Sequence, residues 1–202
     1  MFLFVANNLA LDLVNTRIVE NGAWVDLLKD PDDLLRWSAE AGVMEARTAG
    51  LKTSLTRAEN KAVFNEVIEF REMLVKMASD LAQGRTVSKS LLDRINRILQ
   101  GGSGHFEIRR VGDAYEKRFL AEFEDLSGLL VTVAESAADL LCFGDLAHVK
   151  KCENEHCVLY FHDISKNHRR RWCSMSGCGN RAKANAFYQR KRSAKKPERE
   201  KE

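Results

Sequence analysis

The residues best suited to chemistry are four cysteines, Cys152, Cys157, Cys173 and Cys178, which form two C-x4-C pairs. Four thiolates are the complete ligand set of a tetrahedral structural zinc site and leave no position for an activated water. Disulfide bonds are the alternative, but the chain has no secretion signal and carries an odd fifth cysteine, Cys142,. The spacing therefore predicts one structural zinc ion per chain on the four cysteines.

Three histidines lie close to these cysteines in sequence and are rival ligands. A site of three cysteines and one histidine, drawn from His156, His162 or His168, stays open at this point. His156 directly precedes Cys157, so one turn of chain would have to bring both side chains to the same ion. The sequence shows neither an open metal position nor a nucleophile paired with a base, and we expect no enzyme activity.

The charge of the chain is divided unevenly along its 202 residues. Residues 148–202 carry 15 Lys and Arg against 6 Asp and Glu, a net charge of +9. Residues 1–147 carry 17 against 23, a net charge of −6. Such an asymmetry indicates a polyanionic partner for the C-terminal part alone, and DNA is the predicted partner.

The chain opens on a short apolar stretch, Met1 to Ala6, which has no basic flank and is interrupted at once by Asn7 and Asn8. This pattern does not fit a secretion signal, and no apolar run elsewhere reaches the length of a membrane span. We therefore expect a cytoplasmic protein with no membrane partner.

Residues 1–147 are predicted to be a mainly α-helical domain with one small β-hairpin. Asp30 and Pro31 start one helix, the capping box Thr56 to Glu59 starts another, and Ser88 caps a third. We expect helices at 31–41, 57–83, 88–100 and 123–141, a hairpin over 106–119, and either a helix or a strand over 8–18. Charged residues of the 57–83 helix, Arg71 among them, are expected on its solvent-exposed face.

Asp12 and Asn15 are polar residues within an apolar stretch. One interpretation is that they satisfy local backbone groups, because buried polar groups must be hydrogen-bonded. The alternative is that Asp12 and Asn15 line a ligand pocket, which needs only a few placed polar groups.

Residues 148–192 are predicted to form a treble-clef-like zinc finger. Strands at 158–161 and 169–172 would form a hairpin between the two cysteine pairs, and a helix over 180–192 would follow Cys178 and Gly179. Residues 193–202 form a charged tail that we expect to be disordered. The helical domain and the finger are expected to have independent cores.

The basic residues of this part cluster around the finger, and they are the candidate nucleic-acid ligands. They are Arg169, Arg170, Arg171, Arg181, Lys183, Arg190, Lys191 and Arg192, with Asn180 able either to contact a base or to cap the helix,. A solvated surface that keeps the protein in solution is the alternative interpretation. Trp172 and Tyr188 are expected to pack against the finger core rather than to stack on bases.

Two stretches also resemble known families. Trp172 to Arg181, which contains Cys-Gly-Asn-Arg, resembles the CGNR zinc finger of bacterial proteins described as transcription regulators. Leu9 to Thr16 and Pro31 to Trp37 resemble the ABATE domain that precedes that finger. The resemblance implies zinc on the four cysteines and a DNA-binding role that is itself a prediction for the family.

The leading hypothesis is therefore a zinc-dependent, DNA-binding transcription regulator, whose helical domain senses an unidentified small-molecule effector or mediates association. The alternative hypothesis is a small-molecule-binding or protein-interaction protein in which the finger is purely structural. The sequence leaves the oligomeric state open, a homo-oligomer included.

Overall fold

The computed structural model describes residues 2–43, 56–121 and 126–194. Within these ranges the helices are α1 (Leu9–Val14), α2 (Pro31–Glu40), α3 (Arg57–Ala82), α4 (Lys89–Gly101), α5 (Ser127–Phe143) and α6 (Asn180–Ala194). The strands are β1 (Arg17–Glu20), β2 (Ala23–Asp26), β3 (Gly104–Val111), β4 (Ala114–Ala121), β5 (Val149–Lys151) and β6 (Tyr160–His162). None of these helices combines the length and the apolar content that crossing a membrane requires. The mainly α-helical prediction is confirmed.

The helix starts follow from capping side chains. Asp30 accepts a hydrogen bond from the Asp33 amide at 2.8 Å, and Thr56 and Glu59 complete a reciprocal capping box,. Asn8 caps α1 by accepting from the Leu11 amide at 3.1 Å, so the ambiguous 8–18 stretch begins as a helix,. α6 extends through Ala194, two residues beyond its predicted end, and the rest of the expected tail lies outside the described residues.

A hairpin that the sequence analysis did not identify follows α1. β1 pairs with β2 in antiparallel register, and Asn21 and Gly22 form the turn with positive φ values of 51° and 81°,. The hairpin is fastened to α3 by Arg71, which is fully buried. Its guanidinium contacts both carboxylate oxygens of Asp26, at 2.8 and 2.5 Å, and the Thr16 hydroxyl at 2.9 Å. The expectation that Arg71 faces solvent is therefore wrong.

The finger contains a different hairpin from the expected one. β6 pairs with β5, which lies before the first cysteine, with Lys150 opposite Phe161. Residues 169–172 form no strand. The first cysteine pair consequently lies in the connection between β5 and β6, and the chain from 163 to 172 is a loop that returns to the metal site.

The finger and the helices share one hydrophobic core. Val149, Leu159 and Phe161 belong to the same buried cluster as Leu13 of α1 and Phe70 of α3. The expectation of two independent cores is wrong, because the finger has too few apolar residues to enclose Phe161 by itself.

The outer edge of β6 is closed by the chain around α1. The Asn15 amide pairs with Tyr160 as a strand residue would: its Nδ2 donates to the Tyr160 carbonyl at 2.8 Å and its Oδ1 accepts from the Tyr160 amide at 2.9 Å. Further along, the His162 amide donates to the Ala6 carbonyl at 2.8 Å, and Asn7 Nδ2 donates to the His162 carbonyl at 2.9 Å. These contacts, which we call the junction, fix the finger on the helical domain.

The junction predicts a large effect for one substitution and a small effect for another. Asn15→Ala leaves the main-chain N–H and C=O of Tyr160 without partners, and we expect it to lower the free energy of unfolding by about 2–3 kcal/mol. Asn7→Gly removes one exposed hydrogen bond at a position whose φ of 59° glycine adopts without strain, and it should cost about 0.5 kcal/mol,. Denaturant unfolding of the zinc-loaded variants measures both values, and equal losses would contradict the role assigned to Asn15.

Candidate metal centre and basic helix

The four cysteines converge from two parts of the finger. Cys152 and Cys157 lie in the connection from β5 to β6, and Cys173 follows the returning loop. Cys178 lies in a single π-helical turn, Met175–Gly179, that leads directly into α6. All four side chains are buried.

Their geometry fits a tetrahedral zinc ion. The four Sγ atoms lie within 4.8 Å of one another, with Cys157 and Cys173 3.8 Å apart and Cys173 and Cys178 3.6 Å apart. Four sulfurs about 2.3 Å from zinc would be separated by about 3.8 Å. Within the described residues no histidine joins this group, so the three-cysteine alternative falls away and the prediction of one structural zinc is confirmed.

Crowding of the thiols explains why a cation is needed. The hydrogen bond from Cys173 lowers the pKa of Cys157 to about 5. The same contact, with burial and the neighbouring sulfurs, raises the pKa of Cys173 far above its usual range. One thiol therefore ionises at the expense of the others, and a divalent ion relieves the repulsion between four thiolates.

Neighbouring groups hold the sulfurs in place. Arg181 Nη2 donates to Cys178 Sγ at 3.1 Å, and this hydrogen bond raises the pKa of the guanidinium. The Cys173 amide donates to Cys152 Sγ at 3.4 Å. Gly179 lies close to Met175, and a Cβ there would lie 2.8 Å from Met175 Sδ, so a larger residue would have to displace that side chain. Arg181 thus serves the metal centre, in addition to its predicted place among the DNA ligands.

Asp163 organises the returning loop, and the sequence analysis did not single it out. Its fully buried carboxylate accepts from Lys150 Nζ at 2.8 Å, from the Ser165 hydroxyl at 2.6 Å and from the Arg170 amide at 2.9 Å. Burial alone would raise the pKa of Asp163, but these donors hold it well below its usual range. A signal for this role existed in the Ser two residues after the Asp, a spacing typical of local turn bonds.

Arg170 braces the finger against the helical domain. Its Nη2 donates to the Val5 carbonyl at 2.6 Å and to the Cys173 carbonyl, and its guanidinium carbon lies 4.1 Å from the centre of the Phe161 ring. Its Nε donates to the Trp172 carbonyl at 3.0 Å. These contacts turn Arg170 inward, whereas Arg169 and Arg171 are exposed and Arg171 pairs with Glu153 at 2.6 Å.

The remaining predicted DNA ligands lie on α6. Asn180, Lys183, Arg190, Lys191 and Arg192 are all exposed, and the helix contains no acidic residue. Phe187 and Tyr188 are also exposed, at 56% and 64% of their surface. Trp172 packs against the core as expected, but the expectation that Tyr188 does so is wrong.

Asp12 and Asn15 lie at the junction, where their side chains form hydrogen bonds with main-chain groups. Asp12 Oδ1 accepts hydrogen bonds from the Val5 amide at 3.0 Å and the Ala6 amide at 2.9 Å. The side-chain amide of Asn15 forms hydrogen bonds with the main chain of Tyr160. The interpretation that they satisfy backbone groups therefore accounts for both, and the contacts do not support the ligand-pocket alternative.

Comparison with known families assigns both parts of the chain. Residues 7–144 match ABATE, which is described as "Putative stress-induced transcription regulator". The chain belongs to the ABATE family. Residues 148–191 match the CGNR zinc finger, in which the four cysteines lie. No curated protein matches the chain.

The metal centre predicts different outcomes for two cysteine substitutions. Cys173→Ser in the CGNR finger removes one of four thiolates, and we expect a loss on the order of 3 kcal/mol from a zinc-binding free energy of about 10–16 kcal/mol. Cys142→Ser makes the same chemical change at the exposed fifth cysteine and should leave zinc binding intact. Zinc content per chain and competition with a chelator measure the effect. Equal zinc affinity in the two variants would contradict the assignment.

The buried carboxyl of Asp12 predicts a pH dependence of the ABATE domain. Burial raises the pKa of Asp12 to about 6, although the Ala6 and Val5 amides and the Arg170 charge oppose the shift. The folded chain thus holds this proton more tightly than the unfolded chain, so the stabilisation is present below about pH 4 and is lost as pH rises through about 6.

Asp12→Asn keeps the acceptor oxygen but cannot ionise. Relative to the natural chain, its free energy of unfolding should therefore rise between about pH 4 and pH 7, by at most about 3 kcal/mol. Denaturant unfolding across that range measures the difference. A difference that does not change with pH would show that Asp12 is not the titrating group.

Proposed function

We propose that the chain is a zinc-dependent DNA-binding transcription regulator in which α6 binds in the major groove of DNA. The observation that carries the proposal is the character of α6: an exposed helix with five basic residues, Arg181, Lys183, Arg190, Lys191 and Arg192, and no acidic one. It is about 22 Å long and of the width that the major groove of DNA admits. Its charge attracts phosphates, and the exposed Tyr188 offers a flat face to a base or sugar.

The zinc site gives this helix a fixed base. Cys178 lies in the turn that leads into Asn180, the first residue of α6, and Arg181 donates to the Cys178 sulfur. Bound zinc would hold the cysteines together and so fix the start of the helix, which is a structural task and not a catalytic one. On this reading the protein has no enzymatic role.

The contacts narrow the set of DNA ligands. Lys183, Arg190, Lys191 and Arg192 remain available on α6, and Arg169 is exposed beside the metal site. Arg170 is committed to the Val5 and Cys173 carbonyls. The DNA-binding surface that we propose therefore consists of Arg169 and the exposed basic residues of α6. We call this surface the basic face.

One observation favours the alternative of a ligand-binding protein with a purely structural finger. A cleft of about 570 Å³ lies between α5 and the β3–β4 hairpin. Acidic Glu135 and Asp139 and basic Lys117 line it, and Asn8 lies in its wall. The cleft could receive a small polar molecule without any role for DNA, and the experiment below separates the two functions.

The proposal predicts that the affinity for DNA falls steeply as the salt concentration rises, and that the slope decreases when basic residues of α6 are removed. The zinc-loaded chain should bind a mixed-sequence duplex with an affinity that falls as salt rises, by a slope of about 0.9 for each phosphate neutralised. Replacing Arg190, Lys191 and Arg192 together by Gln should weaken binding and reduce the slope by up to about 2.7. Fluorescence anisotropy over a salt series measures both.

A matched control makes the same charge change elsewhere. Arg57, Lys61 and Arg97 are exposed residues of α3 and α4, and their replacement by Gln removes two Arg and one Lys, as on α6. We expect this triple variant to keep the natural slope. Equal weakening by both triple variants would show that only net charge matters, and absence of binding at low salt would favour the ligand-binding alternative.

A further inference from the structure

Among the residues that the structure describes, no strand pairs with the outer edge of β3. All eight residues of β3 are exposed, among them Phe106 at 52% and Ile108 at 71% of their surface. α5 packs against the hairpin mainly through β4, and Arg109 of β3 lines the cleft beside α5. An exposed strand edge of this length is a template for pairing with another strand.

The turn decides which main-chain groups point outwards from β3. Gly112 and Asp113 form a two-residue turn, with φ of +62° at Gly112, and Val111 pairs with Ala114 across it,. The pair that flanks such a turn is hydrogen-bonded, and hydrogen-bonded pairs alternate along the ladder. The N–H and C=O groups of Phe106, Ile108 and Arg110 therefore point away from β4.

The charges of β3 select one way of pairing it with a copy of itself. If two antiparallel β3 strands centre on Ile108, seven residues overlap and Glu107 of each strand lies opposite Arg109 of the other. A centre at Glu107 or at Arg109 places like charges opposite each other, which is unfavourable. Centres farther along leave five residues or fewer in the overlap.

We propose that the outer edge of β3 is a homodimer interface, in which two copies form a four-stranded antiparallel sheet centred on Ile108. The outward main-chain groups of Phe106, Ile108 and Arg110 make the hydrogen bonds between the copies. The two Glu107–Arg109 pairs set the register. The twofold axis is perpendicular to the sheet, so the apolar side chains of Phe106 and Ile108 from both copies join on one face.

Charge reversal and its rescue test the interface. Sedimentation velocity of the zinc-loaded chain over a concentration series should show a monomer–dimer equilibrium. Glu107→Arg and Arg109→Glu each convert two attractive pairs into two repulsive ones, and each should raise the dimer dissociation constant about tenfold or more. The double variant Glu107→Arg/Arg109→Glu restores opposite charges and should restore dimerisation.

A second substitution tests the main-chain pairing. The Ile108 amide points outwards, so Ile108→Pro removes a donor from the interface and none from the β3–β4 ladder. This variant should be monomeric with an unchanged circular dichroism spectrum. A natural chain that stays monomeric at every concentration overturns the proposal. So does a dimer that survives Ile108→Pro and both charge reversals, or a double variant that is not rescued.

Discussion

The finger depends on hydrogen bonds that close the outer edge of β6. A two-stranded sheet of three residues per strand cannot persist in water by itself. Here Asn15 supplies a side-chain substitute for a third strand, and Ala6 and Asn7 continue the pairing at His162. Asp12 in turn holds the amides of residues 5 and 6. The zinc site thus lies beside a two-stranded sheet whose open edge is covered by residues of the ABATE domain.

This arrangement gives three consecutive arginines different tasks. Arg169 is exposed and Arg171 pairs with Glu153 at the surface, but Arg170 turns under the loop to the carbonyls of Val5 and Cys173. This half-buried guanidinium is tolerated because its Nε and Nη2 donate to main-chain carbonyls and because the Asp163 carboxylate and the cysteine sulfurs are nearby,. The sequence shows a basic run, whereas burial divides it into a surface charge and an internal brace.

The parts that could be predicted are those governed by local rules. The capping box at Thr56 and each cysteine pair are patterns that lie within a few residues of sequence, and both predictions are confirmed. The turn at Asn21 and Gly22 is an equally local signal for a hairpin, and the pairing of β1 with β2 shows that this signal is valid,.

The errors concern partners that are distant in the chain. No residue close to Arg71 in the sequence indicates that the carboxylate of Asp26, 45 positions away, will pair with its guanidinium in the interior. β6 pairs with β5 instead of residues 169–172, and its outer edge is closed by Asn15, whose partner lies 145 positions away. Sequence periodicity predicts the helix face or the segment on which such a residue lies. Its role depends on a partner that only the folded chain brings close to it.

The shared core also joins metal binding to the stability of the helices. Phe161, the four cysteines and the apolar residues of α1 belong to one buried cluster, so loosening of the finger would expose apolar surface of the ABATE domain,. Zinc that binds the folded chain stabilises both parts by mass action. By the reciprocity of linked equilibria, a molecule whose binding to the segment before α1 is strengthened by zinc must strengthen zinc binding by the same factor. The cleft beside α5 touches that segment at Asn7 and Asn8, and Ser136 of α5 accepts hydrogen bonds from the Asn8 side chain and the Leu9 amide. Asn7 belongs both to the lining of this cleft and to the junction, so the cleft borders the contacts that hold the finger.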